Sequence, residues 1–139
     1  MRHQAILLPG IVTPAEIAYG RLRENLDEPE KILLRDLAIY DTDEPPVHHR
    51  LETEINAVLA AADAAGLERF NLMGFSAGGA VAAAFAAANG ERLASLCLLE
   101  PAWLGNADQT EEELRLRKRE AAASDLPLEQ SMAEFVRLD

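Results

Sequence analysis

Four short apolar runs recur along this 139-residue chain, and the stretches between the first three and the next carry helical patterns. The runs are Gln4–Leu8 ("QAILL"), Lys31 to about Asp36 within "KILLRDLAIY", Arg69–Met73 ("RFNLM") and Arg92–Glu100 ("RLASLCLLE"). Each is too short for a buried helix and reads as a strand. Between them, "TPAEIAYGRLRENL" opens with Thr13 as N-cap, Pro14 at the first helical position and Glu16 three residues after the cap, a capping box. "HHRLETEINAVLAAADAAG" places Leu51, Ile55, Val58, Leu59 and Ala62 at helical spacing, with Gly66 closing the helix. "GGAVAAAFAAANG" is a helix of small residues ending at Asn89 and Gly90. Strand alternating with helix predicts a parallel sheet with helices packed on both faces, a three-layer α/β architecture. The strands are apolar throughout, as expected where both faces are covered.

Beyond Gly105 the chain becomes charged and helical, broken at Pro127. Its "RLRKR" run is a solvated helix face, because Glu111 and Glu113 stand four residues before Arg115 and Arg117. The expected division is therefore 1–104 and 105–139. The formal charge is −11. Such a surface repels phosphate backbones and anionic lipid, which sets nucleic acid and membrane aside as partners. Arg2 and His3 precede only a five-residue apolar stretch, too short for a signal peptide, and no run reaches the ~18 apolar residues of a membrane helix. The expected location is cytoplasmic. The single Cys97 lies in an apolar run and reads as a small buried hydrophobe.

One segment carries chemistry. Gly74-Phe75-Ser76-Ala77-Gly78 fits G-x-S-x-G, a pattern that a chain of this length shows by chance about one time in twenty. Its context is more specific, since it follows a strand and opens a helix without a gap, as a nucleophile elbow requires. The sharp turn leaves no room for side chains at Gly74 and Gly78, and Ala77 must be small. The helix that follows aims its N-terminus and free N–H groups at a developing oxyanion. The first strand ends in Pro9-Gly10 on the sheet edge where parallel sheets bind ligands, so the N–H of Ile11 can meet that of Ala77.

Together "ILLPGI", "KILLRDL", "GFSAGG" and "LCLLEPA" resemble the α/β-hydrolase family over essentially all of residues 4–104. The resemblance implies Ser76 as nucleophile and the Ile11 and Ala77 N–H groups as oxyanion donors. It makes residues 1–104 the N-terminal part of an incomplete hydrolase core and 105–139 the start of a helical cap. Where many members have His-Gly, this chain has Pro9-Gly10, which backbone donors tolerate. The family order is serine, acid, histidine. Here His3, His48 and His49 all precede Ser76. The reading is thus of the N-terminal part of a longer protein, and "EFVRLD" ends inside a helical pattern with no cap.

The remaining candidates have plainer readings. His3 sits at the wrong end of the sheet. His48 and His49 read as surface residues, although either lies on the side of the sheet where the pocket would be. Asp36 reads as structural. Glu100 is open between triad acid and a residue that orders its loop or touches substrate. Phe75 and Trp103 either line the pocket or pack beneath the cap. Asp41, Asp43 and Glu44 lack the spacing of a calcium loop, so no metal is expected. No dinucleotide or phosphate-loop motif occurs and no cofactor is expected. The function expected is a serine hydrolase acting on a small ester, amide or related carbonyl substrate. A non-catalytic binding protein, an acyltransferase and a carbon–carbon hydrolase stay open on the same scaffold. Four parallel strands with an open apolar edge also imply dimerisation through that edge, strand exchange or poor solubility.

Overall fold

The computed structural model describes residues 4–43 and 48–102. All of them fall within one compact unit, Met1–Trp103. The segment expected to begin a cap, and with it Trp103, lies outside the described residues, as does His3.

Strands β1 (Ala5–Leu8), β2 (Ile32–Leu34), β3 (Phe70–Phe75) and β4 (Leu93–Leu99) form one parallel sheet in the order β2-β1-β3-β4. Helices α1 (Ala15–Glu24), α2 (Leu51–Ala64) and α3 (Ala77–Asn89) connect them. The pairing Leu8↔Gly74 and Phe75↔Leu99 brings the carboxyl ends of β1, β3 and β4 to one edge of the sheet. The expected architecture is thus present, with helices on both faces.

Strand alternation decides which helix covers which face. Ile6 and Leu8 of β1 point into a core with Val58 and Ala62 of α2, Phe70 and Leu72 of β3, and Val81, Ala82 and Phe85 of α3. Within it the Phe70 and Phe85 rings lie 5.7 Å apart and tilted by 53°, the offset arrangement that aromatic quadrupoles favour. Leu7 points to the other face and packs with Ala15 and Tyr19 of α1. The small residues of α3 let that helix approach β3 closely.

The structure corrects four local expectations. Thr13 does not cap α1. The N-cap position is Pro14, with no side-chain bond, and the N–H of Ala15 donates instead to Asp36 Oδ1 at 2.6 Å. Glu16 pairs with Arg23 at 2.6 Å rather than closing a capping box. A carboxylate from the end of β2 serves the same orphan N–H and the same helix dipole, so a local cap is unnecessary. On α2, Leu51 is exposed and the buried stripe runs through Glu54, Val58 and Ala62.

The other two corrections concern β4. Its Leu93 is buried, but Ala94–Leu99 are exposed, with Leu96, Leu98 and Leu99 each about 40% accessible. Cys97 is exposed rather than buried. The reason is topological. Among the described residues β4 is an edge strand, so its apolar composition reports a surface that no described element covers.

Candidate active site

Strand β3 runs straight into α3 through Ser76, whose backbone sits at φ 51°, ψ −118°. This is the conformation of the first central residue of a type II′ turn, ordinarily a glycine position. A non-glycine residue there is strained by roughly 1–3 kcal/mol, and it persists only where the surroundings over-determine it. They do so here. The Ser76 N–H donates to Leu99 O at 3.0 Å, and its carbonyl accepts from the N–H of Ala80 at 3.1 Å and of Ala102 at 2.8 Å. The two glycines of the motif are obligatory by close approach. A Cβ on Gly74 would collide with the Gly78 carbonyl and lie 2.7 Å from Gly79 N. One on Gly78 would collide with Pro9 O and lie 2.7 Å from Leu8 O. The turn leaves Ser76 half-buried at the carboxyl edge of the sheet, at the N-terminus of a 13-residue helix.

The turn after β1 meets this elbow. Gly78 N–H donates to Pro9 O at 3.1 Å. A Cβ on Gly10 would stand 3.6 Å from Ser76 Cβ and 3.4 Å from the Phe75 ring, so Gly10 lies directly against the serine. With Gly78 and Ala80 committed, Ala77 keeps its N–H free at the helix start among the described residues, and so does Ile11 beside Gly10. Glu100 follows β4 at φ 42°, exposed on the same edge. Phe75 is 41% exposed. The structure therefore brings Ser76, Ala77, Gly74, Gly78, Phe75, Glu100 and the Ile11 turn to one edge.

Among the described residues no side chain hydrogen-bonds the Ser76 hydroxyl. His48 is exposed, and His49 Nε2 is engaged 2.7 Å from Glu54 Oε1. Asp36 is held by Ala15.

Three residues that the sequence reading passed over shape this edge. Glu54 is only 5% exposed, and its carboxylate accepts from the N–H of Ala38 at 2.7 Å and of Ile39 at 3.0 Å. It thereby fixes the one-turn helix Ala38–Tyr40 that follows β2. Its signal was a carboxylate on the apolar stripe of α2, four residues before Val58. Tyr19 donates to Leu8 O at 3.0 Å, and burial, with a smaller push from Cys97, raises its phenol above the ordinary value of 10.0. Tyr40 donates to Ile11 O. A cavity of about 250 Å³ lies beside the turn, lined by Ile11, Val12, Thr13, Pro14, Asp36 and Tyr40. Among the described residues no cluster of three or more His, Cys, Asp or Glu side chains is placed to hold a metal, and no helix is long and apolar enough to cross a membrane.

A parallel sheet whose central strand turns through a strained serine into a helix defines a class of α/β protein. The family model for the alpha/beta hydrolase fold matches residues 6–130, and the chain belongs to that family. No curated protein sequence matches it significantly. Solved structures do. The chain is similar to a 2-hydroxy-6-oxo-6-phenylhexa-2,4-dienoate hydrolase from Rhodococcus sp. strain RHA1, with 20% identity and a TM-score of 0.69 over 92% of this chain and 48% of that one. It is similar to a thermophilic esterase from Thermogutta terrifontis, with 22% identity and a TM-score of 0.66 over 88% and 45%. It is also similar to a membrane phospholipase A described as a bacterial virulence factor, with 25% identity and a TM-score of 0.61 over 84% and 38%. The chain thus spans less than half the length of each of these proteins.

Proposed function

We propose that this chain is the nucleophile-bearing part of a serine hydrolase acting on a small ester, amide or related carbonyl compound. The observation that carries the proposal is the Ser76 backbone at φ 51°, ψ −118°, strained yet held from both sides. Strain of this kind clusters at functional positions because it projects a side chain that an ordinary turn would fold back. Hydrolase neighbours of the same fold support a hydrolytic reaction.

In the proposed mechanism Ser76 Oγ attacks the substrate carbonyl carbon and loses its proton to a base. The Ile11 and Ala77 N–H groups hold the oxygen that becomes negative, aided by the α3 dipole. The base returns the proton to the leaving group as the carbonyl–leaving-group bond breaks, giving an acyl-enzyme. Water then attacks the acyl carbon and restores the serine. Phe75 and Glu100 border the substrate in this reading. No histidine follows Ser76 in this sequence, where the family order would place the base, so in this reading neither the base nor its acid is assigned to a residue here.

Fluorophosphonate labelling tests the proposal. The protein as its source makes it should label at Ser76, and the same protein carrying Ser76→Ala should lose the label. Equal labelling of both would refute it. A wild type that never labels would favour the rival, a non-catalytic binding protein on the same scaffold.

A further inference from the structure

The turn Pro9–Val12 carries one of the two proposed oxyanion donors; packing buries Pro9 and Gly10, but its second half, which includes the donor residue, is exposed. The β1 ladder ends at Leu8, Ile11 is 48% exposed and Val12 is 88% exposed. A donor worth having must stand in a fixed place before the reaction begins. Hydrogen bonds to carbonyls fix this turn instead. Leu8 O accepts from Tyr19 Oη at 3.0 Å, Pro9 O from Gly78 N–H at 3.1 Å, and Ile11 O from Tyr40 Oη. Each peptide unit is a rigid plane, so fixing its carbonyl fixes the N–H on its far side. Gly78 therefore fixes the Pro9–Gly10 plane and Tyr40 fixes the Ile11–Val12 plane. Between them lies the Gly10–Ile11 plane, which bears the Ile11 N–H.

The backbone that carries Tyr40 is held by hydrogen bonds. The turn Ala38–Tyr40 has two of its N–H groups on the buried Glu54 carboxylate. Immediately after it, Asp41 is gripped by both nitrogens of the Arg35 fork, at 2.7 and 2.6 Å. Arg35 is tied in turn to β1 through its N–H to Leu7 O at 3.1 Å. A continuous set of hydrogen bonds thus runs from the sheet through the turn after β2 to the phenol, itself 57% exposed, that meets Ile11 O.

We propose that Tyr40 is a positioning residue for the oxyanion donor at Ile11, acting through its hydroxyl on the Ile11 carbonyl. This rests on the serine-hydrolase reading above. Tyr40 touches neither substrate nor Ser76 in this role. It sets the plane next to the donor, and so governs how well the Ile11 N–H faces the oxygen as charge develops.

The test is the concentration dependence of fluorophosphonate labelling in wild type, Tyr40→Phe and Ser76→Ala, which separates reversible binding from bond formation. Hydrogen exchange is followed in parallel. Tyr40→Phe keeps the ring and removes only the hydroxyl. The expected result is a bond-forming rate about 10-fold slower, less than the 10²–10³ lost when a donor is deleted outright, with reversible binding unchanged. Exchange should quicken across residues 8–14 and stay as it was elsewhere. A Tyr40→Phe rate within about two-fold of wild type overturns the inference while leaving the hydrolase reading intact. Slower labelling with faster exchange across the whole sheet also overturns it, since Tyr40 would then hold the fold rather than the donor. A wild type that does not label at Ser76 refutes the hydrolase reading and the inference with it.

Discussion

At most positions in a protein, alanine is more stabilising than glycine. Position 76 should reverse that order. Ser76 sits at φ 51°, ψ −118°, where a Cβ crowds the backbone by roughly 1–3 kcal/mol and glycine does not. Glycine loses about 0.5–1 kcal/mol to the greater freedom of its unfolded chain. The balance favours Ser76→Gly over Ser76→Ala by about 1 kcal/mol. In a unit of this size that is a difference in unfolding midpoint of about 4 °C. Ser76→Ala itself should match wild type within about 0.5 kcal/mol, because the hydroxyl has no partner among the described residues. Thermal and urea unfolding of the three proteins, side by side, measure this directly. Alanine equal to or better than glycine would refute the claim that the backbone is strained at the elbow, and with it the main support for Ser76 as a nucleophile.

Three further outcomes follow from particular contacts. Glu54→Gln should destabilise by about 2 kcal/mol, because one of two backbone N–H groups, Ala38 buried and Ile39 half-buried, would then face an amide NH₂; a loss below that of His49→Ala would contradict it. Gly78→Ala should destabilise by about 3 kcal/mol in chemical denaturation, since its Cβ meets Pro9 and Leu8 carbonyls on a central strand that cannot retreat. The hydrogen bond from Arg35 holds the Asp41 carboxyl below its ordinary 3.8, aided by the charge of Arg35 and opposed by burial, so near pH 4 the unfolded chain binds more protons than the folded one. The pair's contribution is therefore present above about pH 4 and lost as pH falls through the folded value; Asp41→Asn should flatten that acid limb, and an unchanged limb would show the pair to be irrelevant.

Much of the elbow was legible because its causes are local. A serine flanked by Gly74, Gly78 and Gly79, between a strand run and an alanine-rich helix, can form few turns other than this one. Tyr40, by contrast, gave no signal. Nothing in "DLAIYD" shows that its phenol reaches a carbonyl 29 residues earlier. Asp36 looked structural, and is, but its partner at Ala15 lies 21 residues away, and this long-range bond displaced the local capping box expected at Thr13.

By itself, the sequence determined the alternation of strand and helix, the parallel sheet and the place of Ser76. Those follow from periodicity and from residue size, which act over a few neighbours. Only the tertiary structure decided strand order, and with it that β1 and β3 lie side by side so that Pro9 meets Gly78. It also decided that apolar β4 and Cys97 face outward among the described residues, and that Glu54 is a buried brace rather than a solvated charge. Burial depends on what stands opposite a side chain, and what stands opposite comes from distant parts of the chain.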